Sequence, residues 1–202
     1  MLSEQDLARI KKEVDSLRNL DVVKYIFEEM PWMRPAIYTV ERLSRILQEK
    51  NVVYAFTGEF SINLYGIPFY STDLLFTVKD VDLEKLEEEL KKVNYMKLAD
   101  LTEGMLIRDL QLNTLLKISR EPRPLTWDYE MVRRLRDTGI NTKILSPEDY
   151  GVMLLGKKSV KDLELAVKIF YLWKEEIDID YLKKRAEKED LLQLVLNLLS
   201  KF

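Results

Sequence analysis

The sequence predicts an α/β fold in which a strand-bearing centre, residues 51–145, sits between a helical segment at 1–50 and another at 146–202. Three observations carry this. Apolar residues recur every three or four positions at both ends of the chain, the period of helices with one buried face. Between those ends lie short apolar runs bounded by Gly, Pro and Asp, the pattern of strands and turns. A chain of 202 residues with 47% hydrophobic content is also long enough to bury roughly 70% of its unfolded surface around one sizeable core.

The elements follow in order. Ser3 and Asp6 have the spacing of a capping box, and Leu7, Ile10, Val14 and Leu17 then share one helical face. Asp21 opens a second short helix that Pro31 ends, and the Pro31 to Pro35 turn leads into a third with Ile37, Val40, Leu43, Ile46 and Leu47 inward. A βαβ-like centre comes next. Residues 52–57 read as a strand, Gly58 as a turn, 59–65 as about two turns of helix, Gly66-Ile67-Pro68 as a second turn and 71–78 as a second strand. A charged helix at 82–93 buries Leu83, Leu86, Leu90 and Val93, and 105–110 pairs with 112–119. A proline-bearing loop precedes a helix at 127–137 ending near Gly139, and 140–145 is the last strand. Ser146-Pro147-Glu148-Asp149 is a strong helix opening, with a capping hydroxyl, proline in the first turn and two carboxylates at the positive end of the dipole. Helices at 160–176, 180–187 and 190–199 close the chain, the first turning Leu163, Val167, Phe170 and Tyr171 inward.

Composition removes whole classes of chemistry. With no cysteine and no histidine, disulfide frameworks, thiolate or imidazole metal sites and Ser-His-Asp relays are excluded, which leaves oxygen-ligand chemistry. The balance of 32 basic against 35 acidic residues gives a net charge of -3, so no global field draws the protein to nucleic acid or to an anionic membrane. No apolar run is long enough to span a bilayer and the N-terminal residues are charged, so the expected location is the cytoplasm. A charged content of 33% without cysteine fits a thermophile.

The residues from Val52 to Val78, with Gly58, Gly66-Ile67-Pro68 and Asp73, resemble the minimal nucleotidyltransferases of the polymerase-β-like superfamily and the related toxin-type enzymes of AbiEii kind, as in toxin–antitoxin pairs. In that family a first strand leads to a Gly-Gly or Gly-Ser pair, a helix, a Gly-x-x-Arg turn and a strand bearing Asp-x-Asp. Gly58 matches the first glycine, Gly66-Ile67-Pro68 the turn and Asp73 the first aspartate; Glu148-Asp149-Tyr150 and Lys161-Asp162-Leu163 match two downstream blocks. The resemblance covers about Val52 to Phe170 and implies a mixed sheet flanked by helices (α+β), with helical extensions. It also implies magnesium held between three carboxylates, with Asp73 as catalytic residue and metal ligand; Gly58, Glu59, Lys117 and Lys161 are the candidate substrate-binding residues around it.

Five departures bear on that chemistry. The second aspartate of Asp-x-Asp is Leu75, and residues two apart on a strand share a face, so a hydrocarbon stands where a magnesium ligand belongs. The third acid is missing from 112–119, where Lys117 is placed to fill the vacancy. Glu59 replaces the small residue that admits phosphate to the helix start; two like charges about 4 Å apart repel by about 1 kcal/mol in water and about 4 kcal/mol at an effective dielectric of 20. The turn arginine is Phe69 and the helix lysine is Leu154. Asp73 is therefore expected to satisfy backbone amides at the strand end or to pair with Lys117. The alternative is a rebuilt site that recruits Glu59 or Asp109. Glu59 by itself reads as a helix N-terminal acid, and Lys161-Asp162 as an exposed helix pair.

A basic cluster of Lys117, Arg120, Arg123, Arg133, Arg134 and Arg136, interleaved with Trp127 and Tyr129, has the composition that grips phosphates and stacks bases, but Glu121, Asp128, Glu130 and Asp137 dilute it. The leading expectation is a pseudoenzyme: a nucleotidyltransferase-like protein, catalytically degenerate, without a cofactor, acting as a binding or regulatory module for a protein or RNA partner. One alternative is an active enzyme that uses magnesium on Asp73 to move a nucleoside monophosphate onto RNA or protein. Another is a structural subunit forming a homo-oligomer through the N-terminal helices.

Overall fold

The structure, a computed structural model, describes residues 2–201. The chain opens with α1 (Glu4–Leu17), α2 (Val22–Glu29), a 3-10 turn (Pro31–Met33) and α3 (Arg34–Glu49). It continues through β1 (Tyr54–Phe56), a 3-10 helix (Glu59–Tyr65), β2 (Leu75–Val78), α4 (Leu83–Lys91), β3 (Tyr95–Leu101), β4 (Gly104–Asp109) and β5 (Thr114–Ser119). After α5 (Tyr129–Arg133) come two short strands, β6 (Arg136–Asp137) and β7 (Lys143–Ile144), and then α6 (Pro147–Gly156), α7 (Val160–Leu172), α8 (Ile179–Lys188) and α9 (Leu192–Leu199). No helix among the described residues is long and apolar enough to cross a membrane.

The principal sheet has the order β1-β2-β5-β4-β3 and is mixed. β1 and β2 are antiparallel, β2 and β5 parallel, and β5, β4 and β3 antiparallel in turn. This corrects the βαβ-like reading of 52–78. The linker from Gly58 to Asp73 holds only a seven-residue 3-10 helix and no α-helix to carry the chain back along the sheet, so the chain doubles back and β2 lies antiparallel on β1. The intervening helix is 3-10 rather than α and ends at Gly66, which takes φ +93° as a left-handed cap.

Helix signals in the sequence act as anticipated at the N-terminus. Asp6 N donates to Ser3 Oγ (3.1 Å) and Ser3 N to Asp6 Oδ2 (3.0 Å), completing the capping box. Leu7, Ile10 and Val14 are buried where α1 lies against α7, and Lys168 Nζ reaches Glu13 Oε1 at 2.6 Å beside them. The apolar face proposed for subunit association is therefore covered from within the chain.

One core draws on all three predicted segments, from Ile10 in α1 through Phe56, Phe60 and Phe76 to Phe170 and Val195. Phe56 and Phe76 meet at 5.0 Å between ring centroids, Phe56 and Phe60 at 6.1 Å, and Tyr65 stacks on Tyr150 at 4.6 Å. Such pairs contribute about 0.5–1.5 kcal/mol each beyond their area. Gly151 is required between α6 and α7, because a Cβ there would stand 2.1 Å from the Phe170 ring.

Three elements differ from the sequence reading. β3 is an added edge strand: only Tyr95 is buried in it, and an irregularity between Lys97 and Ala99 breaks the alternation that marks a strand. The helix expected over 127–137 stops at Arg133, and Arg136 and Asp137 turn into a small hairpin with β7, closed by Thr138 N donating to Thr142 O (3.0 Å). The expected 71–78 strand begins only at Leu75, and the residues before it wrap around the end of β1.

Candidate functional site

Gly58 fixes the geometry around Asp73. A Cβ on Gly58 would lie 2.3 Å from Asp73 O and 2.5 Å from Leu75 N, so only glycine lets the turn after β1 press against the segment entering β2. Phe60 N donates to Asp73 O (3.3 Å), and Glu59 N points at Asp73 Oδ2 (3.3 Å). The amide at the start of the 3-10 helix, which the family resemblance would offer to a phosphate, is thus taken by the chain's own carboxylate. Ser71 Oγ accepts from Asp73 N at 3.0 Å and fixes the approach to the strand.

The other carboxylate oxygen of Asp73 is engaged as well. Lys117 Nζ donates to Asp73 Oδ1 at 2.8 Å. The contact follows from the sheet: in the parallel pairing of β2 and β5, Leu75 stands opposite Lys117, and Lys117 N donates to Leu74 O at 2.8 Å. The lysine therefore stands beside Leu75, where the resemblance calls for a second aspartate. Among the described residues no three carboxylates converge to hold a metal ion. A magnesium ion needs several oxygens around it, and an ammonium group on one of two candidate oxygens does not supply them. The donor set does not fit the metal.

Glu59, Lys161 and Phe69 form a second group at the same end of the sheet. Lys161 Nζ, from the first turn of α7, donates to Glu59 Oε1 at 2.6 Å and stands 5.1 Å from the Phe69 ring centroid. Phe69, where the resemblance calls for an arginine, receives a cation on its face instead of supplying one. Asp162 is absorbed in the cap of α7, where its amide donates to Ser159 Oγ at 3.0 Å. Leu154 is buried in the core. Asp109, weighed as a recruited ligand, is not at the site: it is fully buried, accepts from Arg42 Nη1 at 2.6 Å and stands opposite Thr114, three positions along β5 from Lys117.

Asp73 and Lys117 sit at one end of a cleft of about 810 Å³ between the sheet and the start of α3. Its walls include Trp32, Pro35, Tyr70, Leu106 and Leu115, with Trp32 63% and Tyr70 64% exposed. Exposed aromatic residues gathered on one cleft are a feature of recognition surfaces. No periodic signal marks them, because Trp32 lies in a turn and Tyr70 in an irregular linker.

The basic cluster is dispersed and internally neutralised. Arg123 Nε donates to Glu103 Oε2 (2.7 Å), Arg134 Nη2 to Asp178 Oδ2 (2.7 Å) and Arg136 Nη2 to Glu176 Oε2 (3.1 Å), while Arg133 lies 3.4 Å from Glu130. Arg134 covers the Tyr181 ring at 3.9 Å and Arg136 the Trp173 ring at 4.1 Å. Trp127 is tied down by donating from Nε1 to Arg120 O (2.9 Å). These contacts tie Arg134 to α8, Arg136 to the segment after α7 and Arg123 to the turn between β3 and β4, and the cations do not line one groove.

A buried polar network joins α6, α8 and the cap of α5, unannounced by spacing. Arg185 Nε is 2.7 Å from Asp149 Oδ1, outside hydrogen-bond alignment, and Arg185 Nη2 is 3.1 Å from Asp128 Oδ2. Tyr181 OH donates to Asp149 Oδ1 at 2.8 Å. Asp149 is inaccessible and Arg185 only 2% exposed. Burial pushes the Asp149 carboxyl above its ordinary range despite Arg185, and burial likewise raises the phenols of Tyr65 and Tyr150. The Glu148-Asp149 block, matched by the resemblance to a downstream motif, is here a structural anchor. Glu148 serves the same end by accepting from Asp178 N at 2.8 Å.

No protein-family model and no curated protein matches the chain. Among solved structures it is similar to the solution structure of the antibiotic-resistance factor ANT(2'')-Ia, at 12% identity and a TM-score of 0.49 over 82% of this chain and 91% of that one. The crystal structure of the same factor in complex with adenylyl-2''-tobramycin gives 12% identity and a TM-score of 0.47 over 82% and 97% of the two chains. An antigenic nucleotidyltransferase-like protein from Paracoccidioides brasiliensis gives 16% identity and a TM-score of 0.49 over 82% and 90%.

Proposed function

We propose that this chain is a nucleotidyltransferase-like scaffold that no longer transfers nucleotides and instead binds a protein partner through the cleft beside Asp73. The observation that carries the reading is the 2.8 Å contact of Lys117 with Asp73. It places a fixed cation where transfer chemistry needs a second carboxylate and a free first one. Leu75 opposite Lys117 and the Asp73 carboxylate over the Glu59 amide support the same conclusion. The walls formed by Trp32, Tyr70, Leu106 and Leu115 suit an apolar anchor of a protein segment. A protein is favoured over RNA because Arg123, Arg133, Arg134 and Arg136 are each paired with a carboxylate.

Magnesium and each nucleoside triphosphate, added at millimolar concentration, test this directly. A ligand at a hundred times its Kd would stabilise the fold by about 2.7 kcal/mol. The expected result is an unchanged melting temperature. A rise that disappears in Asp73→Ala would overturn the proposal in favour of the magnesium-dependent transferase, with Asp73 as its metal ligand.

A further inference from the structure

The free edge of the principal sheet has a pattern that fits a second copy of itself. β3 is the outermost strand, paired only with β4. No backbone group of residues 96–100 bonds to anything beyond β4 among the described residues. Met96, Leu98 and Leu101 are all exposed on it. Natural edge strands are usually short, covered, or guarded by proline, outward lysines or a bulge; of these β3 has only the irregularity between Lys97 and Ala99. This one spans seven residues without proline, and its single lysine is folded back onto Glu87 (2.6 Å) and Asp100 (3.0 Å).

The irregularity in β3 sets which side chains share a face. Lys97 stands opposite Ile107 and Ala99 opposite Leu106, so Leu98 is an extra residue. Directly opposed residues in an antiparallel pair point to the same side of the sheet. Lys97 therefore follows buried Ile107, and Asp100 follows buried Met105, on the α4 side of the sheet. Met96, opposite Arg108, lies on the other side, and Leu101, one residue on from Asp100, lies there with it. Without the extra residue, Lys97 and Asp100 would sit on opposite faces.

We propose that β3 is the seam of a symmetric dimer of this chain, the two β3 strands pairing antiparallel about a two-fold axis between Leu98 and Ala99. In that register Lys97 of each copy stands opposite Asp100 of the other, and Met96 opposite Leu101, with like faces aligned. Both relations repeat on the two sides of the axis, as an isologous interface requires. The pairing joins the two sheets into one, covers three exposed apolar side chains per copy and uses the backbone groups that the edge leaves open. A different register would set Lys97 or Asp100 against an apolar residue or a like charge, so the charge pattern selects this one. The proposal stands apart from the reading of the cleft, since none of these residues lines it.

Sedimentation equilibrium through the micromolar range tests the register, with far-UV circular dichroism to verify folding. The wild-type chain should dimerise. Lys97→Asp and Asp100→Lys should each weaken the dimer about tenfold or more, since like charges then face each other. An equal mixture of the two variants should regain it as a heterodimer, because one copy supplies both acids and the other both bases, while the Lys97 to Asp100 contact within each chain stays broken. Met96→Lys, on the opposite face, should also dissociate the dimer without touching that contact. A wild-type chain monomeric throughout the range, a dimer indifferent to the single reversals, or a mixture that stays monomeric would each overturn the proposal.

Discussion

Lys117 Nζ and Asp73 Oδ1 lie 2.8 Å apart, and the parallel pairing of β2 with β5 holds them there. The lysine's own amide is bonded to Leu74 O, one residue from its ionic partner. Its backbone position is therefore fixed by the sheet and not by a mobile loop. The pair is partly exposed, so its contribution to stability is small, about 0–1 kcal/mol. Its consequence is chemical: a carboxylate held against an ammonium group is a poor ligand for a divalent cation.

If the ammonium group and Leu75 are what keep metal away, Leu75→Asp combined with Lys117→Glu should create an oxygen cluster with Asp73. Adding magnesium or manganese to this double variant should raise its melting temperature by about 2–4 °C, the shift that 1 kcal/mol produces in a chain of this size. Chelator should reverse the rise, and the wild-type chain should show none. An equal rise in the wild-type protein would mean that the native site already accepts the ion.

The Asp149 and Arg185 pair should behave as a buried ion pair does. Removing one member strands the other charge, so Arg185→Ala should cost about 3–5 kcal/mol in urea unfolding. Removing both with apolar or neutral replacements, Asp149→Asn with Arg185→Met, should cost clearly less than the single change. Equal losses from the single and double variants would show that packing of the arginine stem, and not its charge, matters here.

Acid should weaken the fold partly through Asp178. The Tyr181 amide and Arg134 hold its carboxyl below the usual range, so its contribution is complete above the unfolded value near 3.9 and is lost as pH falls through the lower folded value. Asp149 works the other way: burial raises its folded value, so protonation in acid relieves a cost. Asp178→Asn should therefore be less stable than wild type at neutral pH and converge with it in acid. Urea midpoints across that range supply the check, and a gap independent of pH would refute this assignment.

Much of the architecture was legible because it is written in local signals. The Ser3 to Asp6 capping box, the Ser146-Pro147 opening of α6 and the helical stripes of α1, α3 and α7 all depend on residues a few positions apart. Asp73 could be matched to Lys117 from the sequence because 112–119 lacks the third acid and offers a lysine in its place. Less legible were features set by distant pairing. β3 carries one buried residue and an irregularity, so it shows no period. Arg136 and Asp137 follow a helix without a break in composition, yet the Thr138 to Thr142 turn draws them into a hairpin. Arg185 resembled any charged residue on an exposed helix, since only the fold brings Asp149 and Asp128 to it. Trp32 and Tyr70 share a cleft through chain segments that have no regular structure.

The stack of Tyr65 on Tyr150 also bears on how the chain can be divided. Tyr65 OH donates to Leu145 O at 2.9 Å, and Trp173 Nε1 donates to Tyr65 O at 2.9 Å. A tyrosine from the strand-bearing centre is thereby gripped by the junction at 145–146 and by two of the helices beyond it. Nicking the backbone at that junction would leave two fragments clasped around one phenol ring, each dependent on the other for its shape.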